Sequence, residues 1–149
     1  MKGSLHTDEL MGAVVSASTG LRTERRISHA YVMDVSGHPT PLIITDAAIN
    51  IMPTLKDKAD IIRNAIDLAH VIGIAAPKVA ILSAVETVNP DLPSTLDAAA
   101  LCKMADRGQI SGGILDGPLA FDNAISEAAA REKGIVSPVA GKAEILVVP

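Results

Sequence analysis

The sequence predicts a single α/β domain, a three-layer sandwich in which helices cover both faces of a mainly parallel sheet. Short apolar runs, suited to strands, alternate with longer segments whose apolar residues recur every three or four positions. The chain has 149 residues, of which 48% are hydrophobic, enough for a substantial core. Only Tyr31 and Phe121 are aromatic, so we expect an aliphatic core and no stacking of nucleic acid bases.

The first third of the chain predicts one helix and a hairpin. A helix is expected from Thr7 to Ala17, with its first residue as the N-cap and two acidic residues in its first turn. A basic stretch at 22–26 follows. It leads into two predicted strands, His29 to Val35 and Pro41 to Ala47, which a Gly-His-Pro turn separates.

The rest of the chain alternates between helix and strand. A long helix is expected after Pro53-Thr54 and before Gly73, because its apolar residues lie on one face. The following apolar run is continuous, as in a strand that is buried on both faces of a parallel sheet. The remaining predicted elements are a strand at Val79 to Val85, a helix opened by a capping box at Ser94 to Asp97 and closed by Gly108, a strand at Gly113 to Asp116, a helix at Asp122 to Lys133 and a strand at Ala143 to Val148.

The two ends of the sequence suggest a larger protein. The last predicted strand stops at Pro149 with no helix to cover it, and no strand precedes the first helix. We therefore expect residues 1–149 to form one domain cut from a longer two-domain polypeptide. Residues 1–20 would then be a lead-in helix from the neighbouring domain.

Charge and composition exclude several classes of protein. The net charge of −4 argues against a broad surface for duplex nucleic acid or anionic membrane. No apolar run reaches the roughly 18 residues that a membrane-spanning helix needs. The one cysteine, Cys102, cannot form an internal disulfide, and the N-terminus lacks a secretory signal, so we expect a cytoplasmic protein.

Polar residues follow the predicted strands, where ligands bind in open parallel sheets. They are Asp46 and Asn50, Ser83 and Glu86, and the Asp-Gly-Pro sequence at 116–118. Asp46 is either a turn or helix-capping carboxylate or a residue of the binding cleft. Asp116 is expected to place a carboxylate and a tight turn, with Gly117 and Pro118, at the rim of the sheet, although a purely structural turn is the alternative.

Three arginines, Arg22, Arg25 and Arg26, are candidates for binding phosphate, because guanidinium groups match phosphate oxygens at two points. The alternative is an exposed, solvated surface. The loop at 137–142 ends in Gly-Lys but lacks the pattern of a Walker loop. Neither the four scattered histidines nor Cys102 forms a recognisable metal or nucleophile motif, and Cys102 is expected to be an inert core thiol.

Three stretches of the chain are informative together: KVAILSAVETVNP at 78–90, DGPLAFDN at 116–123 and SPVAGKAEILVVP at 137–149. Three shorter strings occur in matching order: MKGSLHT at the start, RISH at 26–29 and DAAIN at 46–50. In combination they resemble the phosphate acetyl/butyryltransferase family, most closely its butyryl-type branch. The resemblance covers nearly the whole chain.

The resemblance implies reversible transfer of a short acyl group between coenzyme A and phosphate. It also implies an isocitrate/isopropylmalate dehydrogenase-like domain, an active site in the cleft between two domains and a homodimer. Coenzyme A would be a substrate, with no covalently bound cofactor and no metal. Substrate-binding residues are expected at Asp116, Gly117 and Pro118 and at Arg22, Arg25 or Arg26.

The catalytic residues themselves are expected outside this chain. In the family, an Asp general base and a phosphate-binding Ser-Arg motif lie beyond the strand that matches Ile145 to Val148, and no Ser-Arg dipeptide occurs here. The isolated chain is therefore expected to be inactive. Two other hypotheses stay open: a catalytically silent dimerisation domain of such an enzyme, and a dehydrogenase-like substrate domain.

Overall fold

A computed structural model describes residues 3–46 and 48–149. Ala47, where the second predicted strand was expected to end, lies outside the described residues, as do the first two residues of the MKGSLHT string. The elements are, in order, α1 (Thr7–Val14), β1 (Ala30–Met33), β2 (Leu42–Thr45), α2 (Leu55–Val71), β3 (Lys78–Leu82), α3 (Pro93–Asp106), β4 (Ile114–Leu119), α4 (Phe121–Ile125), α5 (Glu127–Glu132) and β5 (Ile145–Val147).

The strands form one five-stranded sheet in the order β1-β2-β5-β3-β4. β1 and β2 are the predicted antiparallel hairpin, with Ala30 opposite Thr45. The pairs β2 with β5, β5 with β3, and β3 with β4 are all parallel. The predicted mainly parallel sheet is thus confirmed, and the last strand of the chain lies at its centre.

Alternate residues of the parallel strands pack into two separate aliphatic cores. On one face Ile43 and Ile145 pack in a cluster with residues of α2 and α3. On the other face Leu42 and Leu146 pack with residues of α4 and α5. Because side chains of a strand alternate between faces, this confirms the predicted three layers.

α2 forms where the sequence predicts it. The hydroxyl of Thr54 accepts a hydrogen bond from the Asp57 N–H at 3.2 Å, and the Asp57 carboxylate accepts one from the Thr54 N–H at 3.0 Å. This reciprocal cap satisfies two backbone donors at the start of the helix. The helix buries Ile62, Ile66 and other residues of its apolar face, and Gly73, with φ +96°, follows its end.

Three predicted helices have wrong boundaries. α1 begins after His6, whose N–H donates to Glu9 at 3.1 Å, and it ends at Val14. α3 begins at Pro93, a residue suited to the first helical turn, so Ser94 does not cap it. The helix predicted from 122 to 133 is divided at Ser126, which has extended backbone and caps α5 by accepting from the Ala129 N–H at 3.3 Å.

β4 extends beyond the predicted end of its strand. Asp116 lies opposite Ala80 and Leu119 lies opposite Leu82, so β4 uses one more residue than β3 over this stretch. A β-bulge around Gly117 and Pro118 absorbs the extra residue. The tight turn predicted at 116–118 is therefore wrong, because these residues continue the strand in irregular form.

Candidate functional site

The candidate site is the edge of the sheet at which the parallel strands end, here called the carboxyl edge. Thr45, Leu82, Leu119 and Val147 are the last residues of their strands at this edge. β1 runs the opposite way, so its first residue also lies there. Consequently the basic segment, defined as residues 22–26, reaches the same edge as the polar residues that follow β2 and β3.

Asp46 organises the loop that follows β2. Its Oδ1 accepts hydrogen bonds from the N–H groups of His29 at 3.0 Å, Ala48 at 3.2 Å and Ile49 at 3.3 Å. Its Oδ2 accepts from the Asn50 N–H at 2.9 Å and from the Asn50 side-chain amide. Both oxygens are therefore occupied by the protein, which favours the capping interpretation of Asp46.

The pKa of Asp46 reflects this arrangement. Burial of the carboxyl group opposes its ionisation and raises the pKa. The hydrogen bonds from the Asn50 side chain and from the backbone of Ala48, His29 and Ile49 outweigh burial, so the pKa lies below its ordinary value. A carboxylate held in this way is a weak base at neutral pH.

Asn50 connects the Asp46 loop to the segment before β1. Its Oδ1 accepts a hydrogen bond from Arg26 Nε at 2.7 Å. Its Nδ2 donates to the Ile27 carbonyl at 2.9 Å. Asn50 of the DAAIN string and Arg26 and Ile27 of the RISH string, which are more than twenty positions away in sequence, therefore belong to one hydrogen-bonded unit.

α2 holds the basic segment from the other side. The Arg26 N–H donates to Asp60 Oδ2 at 3.1 Å, and the Arg26 carbonyl accepts from Asn64 Nδ2 at 2.9 Å. Arg25 pairs with Asp67, with 2.5 Å between Nη1 and Oδ2. A cavity of about 750 Å³ lies between α1, the basic segment and α2, and Arg22, Arg25 and Arg26 all line it.

The three arginines differ in how much of their charge is available. Arg25 is exposed but already paired with a carboxylate. Within residues 3–46 and 48–149, neither Arg22 nor Arg26 forms a salt bridge. Arg26 donates its Nε–H to Asn50, and this hydrogen bond fixes the direction of its guanidinium group. Of the three arginines, Arg22 and Arg26, the latter through its outer nitrogens, are thus the ones that an anion could use here.

A second polar cluster follows β3 and β4. Glu86 Oε1 accepts from Asn123 Nδ2 at 2.6 Å and from Lys133 Nζ at 2.5 Å. The hydrogen bond from Lys133 lowers the pKa of Glu86, and that from Asn123 acts in the same direction. Ser83, which is buried, shares a hydrogen bond of 2.8 Å with Ser94 at the start of α3.

Asp116, Gly117 and Pro118 lie further from the carboxyl edge than the sequence predicts. The Asp116 Oδ1 accepts from the Gly117 N–H at 2.8 Å, and Pro118 is buried. The Cys102 thiol donates to the Gly117 carbonyl at 3.7 Å. Burial, with the nearby charges of Asp116 and Asp106, raises the pKa of Cys102 to about 12, consistent with the inert core thiol that the sequence predicts.

Sequence reasoning missed Asn123 and Lys133 as members of this edge. Asn123 is fully buried, with 0% of its surface exposed, and its Oδ1 has no hydrogen-bond partner among the described residues. Its position shortly after a strand could have identified it by the same rule that identified Ser83. Nothing in the sequence indicates Lys133, which reaches Glu86 from the end of α5.

Two kinds of site are absent from the described part of the chain. No group of three or more His, Cys, Asp or Glu side chains there is arranged to hold a metal ion. Among the helices described, none combines the length and apolar character that crossing a membrane requires.

Comparisons with known proteins give consistent results. The family described as phosphate acetyl/butaryl transferase matches residues 1–149. The chain is 70% identical over 149 residues to a phosphate acetyltransferase of Rhizobium meliloti, covering 100% of this chain and 47% of that protein. It is 50% identical over 149 residues to a phosphate butyryltransferase of Clostridium acetobutylicum, covering 100% of this chain and 50% of that protein.

A solved structure agrees with these matches. The crystal structure of a branched-chain phosphotransacylase from Enterococcus faecalis V583 superposes with a TM-score of 0.79 at 32% identity. The superposition covers 97% of this chain and 51% of that one. The chain thus spans about half the length of the curated relatives it matches.

Proposed function

The chain belongs to the phosphate acetyl/butyryltransferase family, and on that premise we propose that it supplies one wall of an active site that transfers a short acyl group between coenzyme A and phosphate. In this reaction acyl-CoA and phosphate give acyl phosphate and CoA. The bond between carbonyl carbon and sulfur breaks as the bond to a phosphate oxygen forms. Relatives about twice as long carry the family names, so the rest of the site would come from residues beyond this chain.

The observation that carries the proposal is the cationic segment fixed at the carboxyl edge. Both substrates are phosphates or contain phosphate groups, and Arg is well suited to bind them. Arg22 and Arg26 would bind such a group directly, because neither is paired with a carboxylate of the described residues. Arg25 would contribute less to binding, because it is already paired with Asp67.

Asp46 would act by positioning other groups. Its hydrogen bonds to Asn50 hold the amide that in turn orients Arg26. A general base for the CoA thiol has to be close to the thiol and free to accept a proton, and Asp46 has both oxygens occupied. The base and the donors for the developing oxyanion would come from the part of the polypeptide that this chain lacks.

Asp116, Gly117 and Pro118 would shape the cleft wall from within the sheet. Their bulge sets the path by which β4 reaches the carboxyl edge, where Ala120 and Phe121 follow. We further propose a cytoplasmic homodimer that uses coenzyme A as substrate and binds no cofactor covalently. A silent dimerisation domain would use the same fold, but it would not need unpaired arginines at this edge.

Kinetics of the full-length enzyme that contains these residues test the proposal. Arg22→Ala and Arg26→Ala should each raise the KM for CoA or for phosphate by about tenfold, because a charge-assisted hydrogen bond to phosphate contributes about 1.5 kcal/mol or more. Arg107→Ala is the matched control, since Arg107 is exposed at the end of α3 and lines no part of the cavity. If both KM values are unchanged in both test variants, the basic segment does not bind substrate.

A further inference from the structure

Two neighbouring apolar residues at the carboxyl edge are almost wholly exposed. Ile51 is 94% exposed and Met52 is 90% exposed. Single exposed apolar side chains are common on protein surfaces and need no explanation. Two in succession, directly after the Asn50 that accepts from Arg26, form a small apolar patch that a ligand can cover.

The backbone that carries this pair is held in place. Asp46 accepts hydrogen bonds from the N–H groups of Ala48, Ile49 and Asn50, the three residues that precede Ile51. After the pair, Thr54 and Asp57 form the reciprocal cap of α2. Fixed backbone on both sides lets Ile51 and Met52 be presented without the ordering cost of a loose loop.

The apolar pair is also tied to the basic segment. Asn50, the residue directly before Ile51, accepts from Arg26 Nε at 2.7 Å and donates to the Ile27 carbonyl at 2.9 Å. The residue that precedes the apolar pair therefore holds Arg26 and the segment before β1 by its own side chain. A short-chain acyl thioester of CoA has two parts, anionic phosphates and an apolar acyl group.

We propose that Ile51 and Met52 contact the acyl chain of the thioester substrate and so set the preference for acyl length, an inference that rests on the proposed function. Met suits this role because its unbranched thioether adapts to ligands of different shape. Binding becomes more favourable with each methylene of the acyl chain that these side chains cover. The acetyl group has a methyl group but no methylene, so it gains least.

The test uses the full-length enzyme and a series of acetyl-, propionyl- and butyryl-CoA with phosphate. Met52→Ser should lower kcat/KM for butyryl-CoA about fivefold more than for acetyl-CoA, with propionyl-CoA between them. Ile51→Ser should act in the same direction. Met52→Leu keeps the apolar volume and should retain the wild-type slope, that is, the change in kcat/KM with acyl length. Val136→Ser, at a fully exposed position (100%) after α5, should leave the slope unchanged.

The possible outcomes are distinguishable. If all three thioesters lose kcat/KM equally in Met52→Ser, the pair packs against the remainder of the polypeptide and the inference is overturned. An unchanged slope in both Ser variants overturns it as well. If the unsubstituted enzyme turns over none of the thioesters, the proposed function itself fails, and the inference fails with it.

Discussion

Asp46 links three parts of the carboxyl edge through hydrogen bonds to both of its carboxylate oxygens. Its carboxylate joins the hairpin, the following loop and, through Asn50, the guanidinium group of Arg26. The sequence placed Asp46 at the end of a strand but could not decide between a capping and a cleft role. That choice depends on which N–H groups face the carboxylate. They come from His29, before β1, and from the loop after β2, and the sequence does not show that these two segments meet.

Replacement of Asp46 by Asn should therefore reduce stability. An Asn amide would turn an N–H₂ group toward backbone donors, so we expect a loss of about 2 kcal/mol in the free energy of unfolding at pH 7. Urea unfolding followed by circular dichroism measures this. Asp91→Asn is the control, since Asp91 is exposed and, within the described part of the chain, forms a hydrogen bond only through its backbone N–H.

The effect should depend on pH with a definite sign. The pKa of Asp46 is lowered in the folded protein, so its contribution to stability is present above the unfolded value, about 3.9, and is lost as pH falls through the folded pKa. The difference between wild type and Asp46→Asn should accordingly be largest at neutral pH and shrink in acid. A difference that grows on acidification would contradict this account of the residue.

At the scale of elements, periodicity and caps predicted the long α2 well, because its cap and apolar face are local features of the sequence. The bulge in β4 was not predictable. Within it, Gly117 lies directly against β3 and α3, where a Cβ atom would be 2.7 Å from the Ile81 carbonyl oxygen and 3.4 Å from Ala98 Cβ. Asp-Gly-Pro is typical of turns, and only these tertiary contacts make it part of a strand.

Gly117→Ala should consequently destabilise the domain by about 2 kcal/mol, because the new methyl group must displace backbone atoms of β3. Gly12→Ala provides the matched comparison: Gly12 lies within α1 with no heavy atom within 4 Å of an added Cβ. There we expect a gain of about 0.5 kcal/mol from helix propensity. Thermal unfolding of the two variants checks the predicted loss of stability in Gly117→Ala and the predicted gain in Gly12→Ala. Equal stability of Gly117→Ala and wild type would rule out the close packing described for β4.

At the scale of the whole molecule, the order of elements predicted the layers, because parallel pairing and two-sided cover follow from alternating strands and helices. The position of β5 at the centre of the sheet did not follow from that order. The arginines of the basic segment were identified from charge alone. Their distinct partners, Asp67 for Arg25 and Asn50 for Arg26, lie far away in sequence and required the fold. The isocitrate/isopropylmalate dehydrogenase-like label stays a prediction.

The central claim is that this chain supplies part of an acyl-transfer site and requires the remainder of a longer enzyme. Thiol release from acetyl-CoA and butyryl-CoA in the presence of phosphate tests it most directly, measured with residues 1–149 alone and with the full-length polypeptide. We predict phosphate-dependent thiol release by the full-length enzyme and none by the chain alone. Turnover by the chain alone, or no turnover by the full-length enzyme, would contradict the claim.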